Sequence, residues 1–232
     1  MKTIKVRGIV LKEYEVGESD KRLLLLCKSR GRVMVYARGA RKPRSKFMAA
    51  AQIFTYSDFV LAEGRGFLSL AQADVIESFY DLRTDYDRLC TAYKIVDTCE
   101  KTILEDNCDA LLLLVLKSLS NLSKGKFSPE QISAVFMLRF FDVYGLRPHT
   151  DECAVCDLPV GEMGEGIFWG GEGMLCATHA RETKPLSAAA AAAVSHIFKS
   201  DLPQAFKFET SRDVLEELNS STNLLWNIHF GT

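Results

Sequence analysis

Long hydrophobic runs are missing from this chain of 232 residues. No unbroken apolar stretch is longer than the seven residues of 110–116, whereas a helix needs roughly 20 apolar residues to cross a bilayer. Lys2, Lys5 and Arg7 lie where a secretory signal would have its apolar core. We therefore expect a soluble, cytoplasmic protein with no membrane partner.

The sequence also lacks the short motifs of common enzyme classes. It contains no phosphate-binding Gly-Lys-Ser/Thr loop, no nucleophile elbow and no carboxylate pair with the spacing of a metal-dependent nuclease. Its composition, 47% apolar and 25% charged, is that of a globular protein and excludes a disordered, collagen-like or rod-like chain. We predict a folded protein that performs no bond-making chemistry.

Acidic residues are absent between positions 28 and 46. The cations of this stretch are Lys28, Arg30, Arg32, Arg38, Arg41, Lys42, Arg44 and Lys46. Residues 1–80 carry 15 Lys and Arg against 8 Asp and Glu, and the remainder carries 14 against 22. The pattern favours nucleic acid as the partner, with these eight side chains on its phosphates, over a merely solvated surface.

Up to about residue 79 the apolar residues alternate with period two. Five strands are predicted, over residues 4–14, 22–27, 32–37, 53–61 and 67–79, with a long basic loop after the third. Five consecutive strands in this length are typical of an OB-fold barrel, and a small SH3-like barrel is the alternative. The aromatic residues that could stack bases are assigned to the barrel core: Tyr36, Phe47, Phe54, Tyr56 and Phe67.

After residue 81 the apolar spacing becomes helical, with steps through Leu89, Tyr93, Val96 and Ile103. The fold class predicted is therefore α+β and multidomain. Residues 1–80 would form the barrel domain, and residues 81–232 a mainly helical domain with an insertion at about 149–182.

Capping residues predict where several helices begin and end. Asp109 can cap a Leu-rich helix that ends near residue 122, and Ser128 precedes Pro129 and a capping-box Gln131. Gly145 would end that helix. Ser187 opens an Ala-rich helix, and a last amphipathic helix is expected at about 211–218.

Three of the seven cysteines form a cluster with one histidine. Cys153, Cys156, Cys176 and His179 follow the pattern C-x2-C-x19-C-x2-H, which is typical of a closed, structural zinc site. The Gly-rich segment between the two pairs is too small to be stable alone, so metal would supply the missing stability. An empty remnant, a redox Cys-x-x-Cys and His149 as the fourth ligand remain alternatives. The other cysteines, Cys27, Cys90, Cys99 and Cys108, are expected in the core.

Several stretches in order along the whole chain resemble the bacterial RecO recombination mediators. They are Gly8-Ile9-Val10-Leu11, Glu18-Ser19-Asp20, Gly31-Arg32, Ala37-Arg38-Gly39-Ala40-Arg41-Lys42, the strand with Arg65 and Leu68, Phe136-Met137-Leu138-Arg139, Tyr144-Gly145-Leu146-Arg147-Pro148, the two Cys/His knuckles and Leu186-Ser187. Many members of that family have a fourth cysteine where this chain has His179.

The resemblance implies an N-terminal OB-fold and a helical domain with an embedded zinc finger. It implies binding of single- and double-stranded DNA, annealing of complementary strands and, with RecR, loading of RecA onto single strands coated by single-strand-binding protein (SSB). In this family the acidic SSB tail docks on the helical domain, where Arg139 and Arg147 are the candidate contacts. The protein would be associated with the nucleoid.

Two other interpretations remain open at the level of sequence. The chain could be a zinc-stabilised scaffold whose basic loop contacts another protein, without direct DNA binding. It could also be a thiol oxidoreductase that uses Cys153 and Cys156. DNA binding without thiol turnover separates the mediator from both.

Overall fold

The computed structural model of this chain describes residues 2–64, 66–102, 108–164, 166–180 and 183–231. The chain divides into two compact units, Met1–Lys124 and Gly125–Thr232. Strands give way to helices near residue 80, where the sequence also changes period. As a division between domains, the boundary at residue 80 stays a prediction.

The first unit contains a closed five-stranded barrel. Its strands are β1 (Thr3–Val16), β2 (Asp20–Cys27), β3 (Gly31–Ala37), β4 (Tyr56–Glu63) and β5 (Leu68–Glu77). They close in the order β1-β2-β3-β5-β4, and β4 pairs again with β1. The β3–β5 pairing is parallel and the other neighbours are antiparallel. This architecture confirms the OB-type barrel over the SH3-like alternative.

The fourth and fifth strands have different bounds from those predicted. β4 begins at Tyr56 because residues 53–55 belong to a connector of successive turns, residues 38–55, called here the basic connector. Phe54, in that connector, has φ +71°, and its amide donates to the carbonyl of Val10 at 2.9 Å. β5 ends at Glu77, and Phe79, with φ +46°, leads into a 3-10 turn over Tyr80–Thr84. Arg65 and Ile103 lie outside the described residues.

Two helices, α1 (Tyr86–Thr102) and α2 (Asp109–Ser123), complete the first unit. Alternate residues of β2 fill the barrel, whereas Leu24 and Leu26 face outward and are still fully buried, on the side where α2 contacts β2. Asp109 is not the helix cap. It lies in the first turn, and its carboxylate accepts a hydrogen bond from the Ser29 amide in the β2–β3 turn.

The second unit combines helices with a small sheet. Its helices are α3 (Pro129–Val143), α4 (Ala188–Lys199), α5 (Leu202–Ala205) and α6 (Arg212–His229). The strands β6 (Ile167–Gly170), β7 (Gly173–Cys176) and β8 (Lys184–Leu186) form a sheet in the order β7-β6-β8. The cysteine pairs and this sheet lie between α3 and α4 in the chain. The insertion bounds of 149–182 stay a prediction, and their last residue, Glu182, lies outside the described residues.

The predicted caps are confirmed at two helices. Ser128 and Ser187 accept hydrogen bonds from the amides of Gln131 and Ala190, at 3.2 and 3.1 Å. Gly145, with φ +72°, follows the end of α3 as expected.

Two expectations about the helices of the second unit are wrong. The Gln131 side chain does not form a capping box, because its amide donates to the carbonyls of Phe206 and Phe208, at 2.9 and 3.0 Å. Helix α6 continues to His229, well beyond residue 218, because its buried face extends through Thr222 and Leu225.

Within the described part of the chain, no helix combines the length and the apolar character that a membrane span requires.

Candidate metal centre and nucleic-acid interface

Two tight turns bring the cysteine pairs together in the second unit. In the first, the Asp157 amide donates to the carbonyl of Cys153 at 3.0 Å. In the second, which follows β7, the His179 amide donates to the carbonyl of Cys176 at 3.0 Å. The Cys176 amide also points at the Cys153 sulfur, at 3.5 Å, so the two turns support one cluster.

The four side-chain donors lie at distances that suit one metal ion. The sulfurs of Cys153, Cys156 and Cys176 and the imidazole of His179 are all within 4.8 Å of one another. His179 Nδ1 is 3.3 Å from the Cys176 sulfur, and the sulfurs of Cys156 and Cys176 are 3.9 Å apart. A tetrahedral zinc site separates its ligand atoms by about 3.5–3.8 Å. The cluster could therefore hold a metal ion, and thiolate and imidazole donors are those that zinc prefers.

The protonation of these thiols also favours a cation. Burial raises the pKa of Cys153, but three nearby backbone amides and the His179 ring favour its thiolate, so that its pKa is lowered to about 6. At Cys156 the Leu158 amide lowers the pKa, but burial and the neighbouring thiols outweigh it, and the pKa is raised. The site thus stabilises one thiolate, and further thiolates beside it require a positive charge for compensation.

The remaining histidine and cysteine candidates lie elsewhere. His149 forms a backbone bridge to Gly173, and its Nδ1 is 3.8 Å from Glu152, whereas His179 completes the cluster. Cys27 and Cys99 are buried as expected. The expectation is wrong for Cys90, which is exposed on α1.

The basic connector of the first unit is held by the turn between β1 and β2. The carboxylate of Asp20 accepts a hydrogen bond from the Gly39 amide at 2.7 Å, and the Ser19 carbonyl accepts one from the Arg41 amide at 2.9 Å. The Gly39 amide is the main reason that the pKa of Asp20 is lowered, and the nearby cations Arg38 and Lys42 contribute. The Glu18-Ser19-Asp20 stretch therefore anchors the connector.

The eight predicted DNA contacts are all exposed but fall into two groups. Lys28 and Arg30 lie in the β2–β3 turn, and Arg32 lies at the start of β3. The other five lie in the basic connector, beyond the opposite end of β3: Arg38, Arg41, Lys42, Arg44 and Lys46. Because β3 has seven residues, its ends are about 20 Å apart, so the eight side chains do not form a single patch.

Two cations of the connector also have contacts within the barrel unit. Arg41 lies 3.0 Å from the Glu15 carboxylate and donates to the Gly17 carbonyl at 3.2 Å. Lys46 donates to the Ala71 carbonyl at 3.0 Å. Arg41 thus forms an ion pair with an acid of β1, which the sequence did not predict.

A groove of about 580 Å³ lies near the β2–β3 turn of the same unit. Its lining combines Lys5, Arg7 and Lys28 with Asp58 and Asp74. Arg7 forms an ion pair with Asp58 at 2.6 Å. Because acidic and basic side chains both line the groove, its charge does not favour an anionic ligand.

The two arginines predicted to contact a partner differ in their surroundings. Arg139 is mostly buried, forms an ion pair with Asp142 at 3.2 Å and donates to the Ser200 carbonyl. Arg147 is exposed, and its guanidinium lies 4.7 Å from the ring centre of Phe198.

The aromatic residues of the barrel separate into core and surface. Phe47 and Phe54 are buried, 5% and 0% exposed, as expected. The assignment to the core is wrong for Phe67, which is 40% exposed, and for Tyr36, which is half-buried and lies outside the barrel core. The position of Phe67 directly after Gly66 in a glycine-containing turn, just before β5, is the sequence signal that could have indicated its exposure.

Comparison with known proteins identifies the family. The family model described as "Recombination protein O N terminal" matches residues 1–79, and "Recombination protein O C terminal" matches residues 83–231. The DNA repair protein RecO of Acetivibrio thermocellus is 37% identical over 222 residues, which are 94% of this chain and 88% of that protein.

Two further relatives carry the same name. The protein of Alkaliphilus metalliredigens is 34% identical over 154 residues, 66% of this chain and 63% of its own. That of Bacillus mycoides is 30% identical over 179 residues, 77% of this chain and 71% of its own. With both family models matched in order over nearly the whole length, this chain belongs to the RecO family of recombination proteins, and its role is in DNA repair.

Proposed function

We propose that the chain is a recombination mediator that binds single- and double-stranded DNA through its barrel unit and anneals complementary strands. With RecR it would help to load RecA onto single strands coated by SSB, in the cytoplasm at the nucleoid. The observation that carries this proposal is an exposed, acid-free basic connector at one end of an OB-type barrel in a chain of the RecO family.

The mechanism needs positive charge and no bond-making chemistry. Arg38, Lys42, Arg44 and Lys46 contact backbone phosphates, and Arg41 supports them through its contacts with Glu15 and Gly17. Neutralising the phosphates reduces the repulsion between two strands, so that base pairing can proceed without ATP.

The metal of the second unit would be zinc in a structural role. Cys153, Cys156, Cys176 and His179 supply four protein ligands, which leaves no position for a reactive water. Such a site stabilises the short β6–β7 hairpin and its neighbouring turns.

For the acidic tail of SSB, Arg147 is the stronger of the two candidate contacts. It is exposed, whereas Arg139 already pairs with Asp142 and the Ser200 carbonyl. Titration with a tail peptide should show weaker binding for Arg147→Ala than for Lys126→Ala, a control that removes one exposed charge of the same unit. Equal affinities would remove Arg147 from the proposal.

The first experiment is fluorescence anisotropy of a labelled single strand and a duplex at several salt concentrations. Four phosphate contacts predict that log K falls against log salt with a slope of about −3 for the single strand and about −4 for the duplex. The variant with Arg38, Lys42, Arg44 and Lys46 changed to Ala should lose most binding to both.

A matched control removes four exposed cations from the second unit, with Lys126, Lys184, Lys207 and Arg212 changed to Ala. It carries the same change in net charge and should bind DNA like the parent. No DNA binding by the parent even at low salt would contradict the proposal and favour a protein-interaction scaffold. A loss of binding in the control equal to that in the first variant would remove the connector as the site.

A further inference from the structure

Two aromatic rings and a guanidinium lie together on the outside of the barrel. The rings of Tyr36 and Phe67 meet edge to face with centres 5.6 Å apart, and the Arg38 guanidinium lies 5.9 Å from the centre of the Phe67 ring. Phe67 is 40% exposed, and Tyr36 is half-buried. These three residues are called here the aromatic platform.

The turn between β4 and β5 presents Phe67 at the surface. The Gly64 amide donates to the Phe67 carbonyl at 2.9 Å, and a Cβ at position 64 would lie 3.1 Å from the Phe67 ring. Gly66 has φ +82°, which favours glycine. The backbone therefore holds the ring at the surface of the barrel, although burial would be the usual location for a phenylalanine.

The platform continues a line of outward residues on β3. Val33, Val35 and Ala37 fill the barrel core, so Arg32, Met34 and Tyr36 face outward, because side chains alternate along a strand. Arg38 follows directly, and the line has a cation near each end and an aromatic ring between them.

The neighbouring strand β2 is covered opposite Met34 and Arg32, and its Arg22 lies opposite Tyr36. Its outward residues Leu24 and Leu26 are fully buried, on the side where α2 contacts β2. A ligand that follows the outside of the barrel here would thus lie along β3 and the β4–β5 turn.

We propose that the aromatic platform binds an unpaired base of single-stranded nucleic acid, and that Phe67 makes the barrel distinguish single strands from duplex. The inference rests on the proposed DNA binding, to which it adds a preference for single strands over duplex. An exposed ring can stack on any base whose face is free, while Arg38 beside the ring contacts a neighbouring phosphate. In a duplex the base faces are covered by their neighbours, so the ring contributes little there.

The test compares Phe67→Leu with the parent for binding to a thymine oligonucleotide and to a duplex. Leucine keeps an apolar side chain and removes the ring, so the single strand should bind about tenfold more weakly. Duplex affinity and the salt slope should remain unchanged, because no cation is removed. Tyr80→Leu, which replaces another highly exposed aromatic residue of the same unit, should bind both ligands like the parent.

A second variant keeps the test decisive if Phe67→Leu is unstable. Phe67→Trp should retain the affinity for the single strand, and its fluorescence should be quenched by the oligonucleotide but not by the duplex. Parent-like binding of the single strand by Phe67→Leu, or equal losses for both ligands, would overturn the inference while DNA binding by the connector stands. If the parent binds no DNA, the proposed function itself fails.

Discussion

Individual cations of the barrel unit differ in how far the fold already uses their charge. The Lys21 ammonium is nearly buried, 2.6 Å from Glu13, and also donates to the Ala51 carbonyl. Arg41 forms an ion pair with Glu15, whereas the next residue of the connector, Lys42, extends its charge into solvent. Adjacent residues in a basic run can therefore have different roles, one in structure and one toward a ligand.

The pair Arg41 and Lys42 tests this difference. Lys42→Ala should reduce the salt slope for a single strand by about 0.7, the value for one phosphate contact. Arg41→Ala should leave the slope nearly unchanged, because its charge is paired with Glu15, and should lower stability by less than about 1 kcal/mol. Salt-dependent anisotropy and thermal unfolding provide the two readouts. Equal reductions in slope for both variants would mean that Arg41 contacts DNA directly.

Gln131 shows how one buried side chain can join distant segments of the second unit. It is 8% exposed and donates to the carbonyls of Phe206 and Phe208. Gln131→Met leaves both carbonyls without this donor and should lower the free energy of unfolding by about 2 kcal/mol. Urea unfolding followed by tryptophan fluorescence reports on this unit, because Trp169 and Trp226 both belong to it. The control Gln204→Met, at an exposed site, should change the free energy of unfolding by less than about 0.5 kcal/mol. Equal losses of stability for the two variants would contradict the role of Gln131 in joining these segments.

At the level of elements, the β6–β7 hairpin connects the two cysteine turns. The His149 amide donates to the Glu172 carbonyl, and the Met174 amide donates to the His149 carbonyl, both at 2.8 Å. Gly173 permits this bridge because its φ is +127° and a Cβ there would lie 2.2 Å from the His149 carbonyl oxygen. The position of Cys176, three residues later, thus depends on a glycine outside the ligand set.

Gly173→Ala should weaken metal binding about tenfold or more, because the bridge to His149 must open and β7 must shift. Competition with a chromophoric zinc chelator measures the change. Gly161→Ala is the matched control, since a Cβ at that position meets nothing within 4 Å. An unchanged zinc affinity for Gly173→Ala would show that the hairpin does not position Cys176.

On the scale of the molecule, the two compact units carry opposite net charges. Residues 1–124 contain 21 Lys and Arg against 16 Asp and Glu, and residues 125–232 contain 8 against 14. A polyanion is therefore attracted to the unit with the barrel, and an acidic tail that docks on the other unit depends on a local cation such as Arg147.

The number of cysteines that react rapidly with a thiol reagent tests the metal site in the whole protein. Burial raises the pKa of Cys27 to about 12 and also raises that of Cys99, so these thiols should react slowly. Cys90 is exposed and should react rapidly with an aromatic disulfide reagent. Zinc should protect its three cysteine ligands, and a strong chelator should therefore add three rapidly reacting thiols.

Cys90→Ser serves as the control, because it should remove one rapid thiol both with and without chelator. The same number of rapid thiols before and after chelation would contradict metal occupancy of the cluster.

Much of this protein could be predicted from its sequence because the signals act over short distances. Period-two alternation indicated the barrel strands, and Ser128, Ser187 and Gly145 marked helix ends through contacts within three or four residues. The spacing of the cysteine pairs likewise indicated a cluster, because two ligands on one tight turn are close in any fold.

Other features were decided by the tertiary structure alone. Arg41 forms an ion pair with Glu15, and Gln131 contacts carbonyls 75 and 77 residues away. Phe67 meets Tyr36 only where β5 pairs with β3, a contact that no periodicity indicates. The sequence by itself determined which segments fold and which residue types are available for DNA and metal. The tertiary structure decided which of those side chains remain accessible, because burial and pairing depend on partners that only the packed chain brings into contact.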